Sequence, residues 1–87
     1  METRETTKAT PVQLIVLLAF TRNEEGDVVP AMEPREMRDA STAIRTAKQI
    51  AGDYVGVIAW SRSADLVNGE FGEPVTLISI GDVPDME

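Results

Sequence analysis

The chain contains neither cysteine nor histidine. Without cysteine there are no disulfides and no thiolate metal sites. Without either residue, the Ser-His-Asp and Cys-His constellations of nucleophilic catalysis cannot be built. Aromatic residues are scarce at 5%, with a single Trp, a single Tyr and two Phe, so any core must be largely aliphatic. Cations are outnumbered, 8 Lys and Arg against 15 Asp and Glu, for a net charge of −7. Association with a polyanion depends on cationic side chains displacing counterions, so direct binding to nucleic acid or to an anionic membrane is not expected. An acidic surface is instead attracted to a basic one, including the basic groove of a nucleic-acid-binding protein. The longest apolar run, Val12 to Phe20, is interrupted by Gln13 and has about half the length that spans a bilayer. The first residues lack the basic character of a signal peptide, so a cytoplasmic location is the expectation.

With 87 residues the chain is long enough for one hydrophobic core and too short for two. A domain this small buries only about 60 to 65% of the surface its unfolded chain exposes, so association is an open question from the start. Residues 1–10 are Thr-rich and almost without apolar side chains, and read as a flexible tail. Residues 11–82 read as a single α+β domain and 83–87 as an acidic C-terminal tail.

Periodicity and punctuation predict four strands and one helix. Pro11 opens the first strand, Val12 to Thr21, whose Val, Ile, Leu and Phe leave no polar face and so imply burial on both sides. Arg22 to Asp27 is a polar turn, and Val28 to Glu33 returns as a shorter strand that Pro30 confines to a sheet edge. Pro34 opens the helical region, with Asp39 as an alternative N-cap. Ala40, Ala43, Ile44, Ala47, Ile50 and Ala51 then form one apolar stripe, which Gly52 closes. The alanine content predicts a helix lying close to its sheet. Tyr54 to Trp60 and Val75 to Ile80 read as the last two strands, and Asn68-Gly69 marks a turn between them. The order is ββαββ, a four-stranded and mainly antiparallel sheet with the helix packed on one face.

One helix covers one face of a sheet, yet these strands are apolar on both. Leu14, Val16, Leu18 and Phe20 alternate with Ile15, Leu17 and Ala19, and Val55, Val57 and Ala59 alternate with Tyr54, Ile58 and Trp60. The second face therefore needs a cover: a second copy in a homodimer, a target protein, or the chain's own loops. Trp60 and Arg62 end the third strand. They are the residue types most enriched in binding hot spots, although a lone Trp serves equally as a core anchor.

Few residues are placed for chemistry. No Gly-rich phosphate loop of standard spacing occurs. Lys48 is the sole lysine beyond the tail and could in form make a dyad with a serine, but it fits better as a solvated helix-face residue. Asp65, Asn68 and Glu70 lack the oxygen spacing of a calcium loop and fit a polar turn. The expectation is a protein with no catalytic residue, metal or cofactor.

Charge is the remaining signal. Following the chain through ββαββ brings Glu24, Glu25, Asp27, Asp53, Asp82, Asp85 and Glu87 to one end of the sheet. The other end holds Asp65, Glu70 and Glu73 together with Arg35, Arg38 and the basic residues of the tail, and should lie closer to neutrality. Such a dipole would steer the protein toward a cationic groove. The candidate partner-binding residues are thus Glu24, Glu25, Asp27, Asp53, Asp82 and Asp85 at the acidic end, with Trp60 and Arg62 on the third strand.

The runs Val57-Ile58-Ala59-Trp60-Ser61-Arg62, Gly69-Glu70-Phe71-Gly72-Glu73-Pro74 and Gly81-Asp82-Val83-Pro84-Asp85 resemble those of short uncharacterised bacterial and prophage proteins. That resemblance covers the second half of the chain and implies no activity. In size, acidity and layout the chain is also similar in type to anti-CRISPR proteins, small phage inhibitors that bind CRISPR effector complexes. The second likeness implies a partner with a basic surface and a function of blocking nucleic-acid access. A small homodimeric adaptor, its open sheet face the interface, is the alternative.

Overall fold

Val12–Arg22 forms one long strand, β1, because its β-branched and aliphatic side chains find apolar partners on both faces of the sheet. The computed structural model describes residues 12–65 and 67–84. The N-terminal tail, Pro11, Asp85 and Glu87 lie outside the described residues, as does most of the C-terminal tail.

After the Arg22 to Asp27 turn the chain returns as β2, Val28–Pro30, then β3, Arg35–Glu36, both antiparallel to β1 along the same edge. The returning strand read from sequence as Val28 to Glu33 is thus shorter, and β3 is a further strand in the stretch read as the start of the helical region. Pro30 ends β2, and Pro34, rather than opening the helix, directly precedes β3.

Helix α1 covers Ala40–Ile50, and Asp39 is its N-cap, accepting from Thr42 N at 2.7 Å. Ala43 and Ala47 are fully buried against the sheet, with Ala40, Ile50 and Ala51 packed alongside. Two methyl-sized contacts one turn apart bring the helix axis close to the strands, as its composition requires. The helix does not stop at Gly52. A 3-10 turn carries the chain on through Ala51–Asp53, and Gly52 needs no left-handed conformation.

The next strand, β4, spans Gly56–Asp65, later and longer than the sequence suggests. It pairs antiparallel with β1 from Val12↔Ala64 to Phe20↔Gly56. Tyr54 and Val55 precede it and depart from its alternation: Tyr54 packs on the helix side and Val55 on the other, the reverse of the strand pattern. The stretch from Ser61 to Pro74 is not one long loop. β4 runs on to Asp65, turns through Gly69 (φ 72°), and returns as β5, Glu70–Phe71, which faces Ala64 and Asp65. Last comes β6, Val75–Gly81, along the same edge of β4. All pairings are antiparallel, and the sheet order across its width is β2 and β3, β1, β4, then β5 and β6.

The core has two layers. Between sheet and helix lie Ile15, Leu17, Ala19, Val57 and Ala59 with the two alanines of α1. On the opposite face Leu18, Phe20 and Ile58 are buried, and Val28, Met32, Val55, Trp60 and Val83 close over them. The chain's own segments therefore cover the upper half of the helix-free face. Full burial of Leu17, Phe20 and Val57 contributes about 1.5–3 kcal/mol each. Among the described residues no helix is long and apolar enough to cross a membrane.

Candidate functional site

The upper end of the sheet is where β1 ends, β4 begins and β6 ends. Its first component is the β1–β2 hairpin, organised by Asn23. The Asn23 side-chain oxygen accepts from Glu25 N at 3.0 Å and Asp27 N at 2.9 Å, while its backbone bonds Gly26 and Asp27. Gly26 takes the positive φ (89°) that closes the turn. With the backbone so arranged, the Glu24, Glu25 and Asp27 side chains are left exposed at the tip.

Asp53 enters from the 3-10 turn after α1. The chain then joins β1, with Val55 N donating to Phe20 O at 3.0 Å, and Asp82 N in turn donates to Val55 O at 2.9 Å. Asp82 thereby reaches Arg22, whose guanidinium bonds its carboxylate at 2.9 Å and also donates to Gly26 O at 2.9 Å. Arg22 ties the hairpin to the end of β6 and is the cation paired with these acids among the described residues; Lys48 lies in the last turn of α1. Glu24, Glu25, Asp27 and Asp53 make no ion pair among the described residues. A shallow hollow lined by Val28, Gly81, Asp82, Val83 and Pro84 opens beside them. Among the described residues no three acidic side chains come together as a metal-ligand set.

The opposite end is also acidic, and two of its carboxylates are occupied differently. Asp39 caps α1 and lies 3.5 Å from Arg38 Nε. The Thr42 amide that it accepts, above all, holds its carboxyl below the ordinary aspartate range. Asp65 accepts from Asn68 Nδ2 at 2.8 Å and from the backbone amides of Val67 and Asn68 at 3.2 Å, bonds that hold its carboxyl low as well. These are turn-forming roles. Arg35, expected at this end, stands instead within β3 opposite Leu17. Among the described residues this end is thus more acidic than the chain direction suggests: Asp39 and Asp65 are engaged in a cap and a turn, while Glu70 and Glu73, like Glu24, Glu25, Asp27 and Asp53 at the tip, make no ion pair.

Trp60 and Arg62 do not belong to the acidic end. Their register places them opposite Val16 and Leu14, on the lower half of the helix-free face. Trp60 packs beside the Leu18, Phe20 and Ile58 cluster, and its indole N–H has no hydrogen-bond partner among the described residues. Arg62 donates through Nε to Gly72 O at 3.0 Å and lies over the Phe71 ring, 5.4 Å from its centre. The sequence-derived residues thus divide into an acidic tip of Glu24, Glu25, Asp27, Asp53 and Asp82, and a separate aromatic and basic patch; Asp85 is outside the described residues.

Sequence reasoning missed Asn23 and the glycine pair Gly56 and Gly81. An Asn at a strand end three residues before a Gly, and single glycines at the ends of apolar strands, were the available signals. Comparison with protein-family models, curated proteins and solved structures gives no match.

Proposed function

We propose that this chain is a non-enzymatic binding protein whose acidic end docks on and covers a basic surface of a protein partner. The observation that supports this reading is the convergence of Glu24, Glu25, Asp27, Asp53 and Asp82 from three separate chain segments onto one end, where none except Asp82 meets a described cation. Carboxylates that cap helices or shape turns have a structural reason to be there, as Asp39 and Asp65 do. Glu24, Glu25, Asp27 and Asp53 have no such side-chain role among the described residues, and their field attracts a cationic surface. The most specific form of the proposal is a cytoplasmic inhibitor of the anti-CRISPR type that denies nucleic acid its basic groove.

A second reading is favoured by Leu14, Val16, Trp60 and Arg62, which stay half-exposed among the described residues: an adaptor that uses the lower half of this sheet face. The experiment that separates the two begins by identifying a partner through co-purification and then measures association rates at several salt concentrations. Replacing Glu24, Glu25 and Asp27 together by Gln, Gln and Asn should slow association and flatten its salt dependence, with the fold unchanged. If that variant binds as before while Arg62→Glu abolishes binding, the adaptor reading replaces the first.

A further inference from the structure

Strand β6 is an edge. It pairs with β4 on one side, and among the described residues no strand pairs with the other. An open edge presents unpaired N–H and C=O groups, and proteins usually guard one with charge or proline. The residues Val75-Thr76-Leu77-Ile78-Ser79-Ile80 contain neither, and Val75 is 59% exposed. The stretch is bounded instead: Pro74 precedes it with no N–H to offer, and at Gly81 (φ 75°) the chain bends so that Asp82 bonds back to Val55.

We propose that β6 is a self-recognition strand, pairing antiparallel with β6 of a second copy of this chain in the register Val75↔Ile80, Thr76↔Ser79, Leu77↔Ile78. The argument for a second copy, rather than another extended chain, is self-complementarity. In this register each apolar residue meets an apolar one and each hydroxyl meets a hydroxyl, the pairings that stabilise neighbouring strands.

The β-bulge makes this register geometrically consistent. A two-fold axis perpendicular to the sheet keeps each side chain on its own face, so paired residues must face the same way in the monomer. In a regular strand Thr76 and Ser79 would point to opposite faces. Here the ladder shifts between Ala59 and Trp60: Ile78 stands opposite Ala59 and Thr76 opposite Trp60, leaving Leu77 as the extra residue. Leu77 and Ile78 both pack on the helix side, and Thr76 and Ser79 share the helix-free face, opposite Trp60 and Ile58. The dimer would then carry both helices on the same side of one continuous sheet. Beyond the ladder, Glu73 of one copy nears Asp82 of the other, a like-charge approach that Arg22 on Asp82 offsets.

This inference does not depend on the acidic end. Its test is sedimentation of the full chain from about 1 to 100 µM, the range in which so short a ladder would exchange. The variant Thr76→Lys with Ser79→Lys sets like charges opposite each other at both hydroxyl pairs and should raise the dimer dissociation constant roughly tenfold or more. Thr76→Lys with Ser79→Glu creates two complementary pairs in this register and should keep or tighten the dimer. Both positions are exposed, and circular dichroism checks that each variant folds. A wild-type monomer throughout that range would mean that the bulge guards the edge, and would overturn the proposal. So would a dimer that neither variant alters, which would place the interface elsewhere.

Discussion

Gly56 and Gly81 face each other across β4 and β6, and the missing side chains let the chain cross itself at the acidic end. A β-carbon on Gly56 would run into the carbonyl of Asp82, and one on Gly81 into the carbonyl of Val55. The Asp82-to-Val55 bond and the Arg22–Asp82 pair both follow from this close approach.

Gly56→Ala should therefore cost about 1–3 kcal/mol, because the colliding atoms are backbone and cannot step aside. Chemical denaturation measures the loss. Gly52→Ala is the control: a β-carbon there meets nothing within 4 Å, so its effect should be far smaller.

Arg22→Gln should leave stability within about 1 kcal/mol, since the Arg22 and Asp82 side chains are exposed and such surface pairs contribute little. The same change removes a cation from the acidic tip. Association with a basic partner should accelerate and become more sensitive to salt, the opposite of the effect of neutralising the hairpin.

Asp39 and Asp65 should account for part of the acid sensitivity. Each carboxyl sits below the ordinary aspartate value of 3.8 in the folded chain, Asp39 chiefly through the Thr42 amide and Asp65 chiefly through the Asn68 side chain. A depressed folded pKa means that the unfolded chain takes up protons first. The stabilisation is complete above the unfolded value and is lost as pH falls through the folded one. Asp39→Asn should keep the cap at neutral pH while flattening the acid limb of melting temperature against pH, and Asp39→Ala should lower stability at neutral pH as well.

Phe20→Ala should destabilise the fold by about 3–5 kcal/mol, as expected for a large side chain removed from a packed interior. Phe20 is 2% exposed on the face without a helix. A loss that large would establish, by thermal or chemical unfolding, that the upper half of this face is a true core. A loss below about 1 kcal/mol would mean that Val28, Met32, Val55 and Val83 do not pack over it as described.

The sequence by itself determined the class of fold, the long first strand, the alanine face of the helix and the arrival of Glu24, Glu25, Asp27, Asp53 and Asp82 at one end. The reason is that these depend on local periodicity and on chain direction, which reverses at each turn of an antiparallel sheet. The tertiary structure decided everything that required knowing what lies across from a residue. It ended the second strand at Pro30 and added β3 at Arg35–Glu36, carried β4 on to Asp65, and set Arg22 on Asp82 across 60 residues. It also separated Trp60 and Arg62 from the acidic tip, because register alone places them opposite Val16 and Leu14. The bulge at Leu77 belongs to the same group: nothing in Val75 to Ile80 announces it, and only pairing with Ala59 and Trp60 turns Leu77 and Ile78 toward one core.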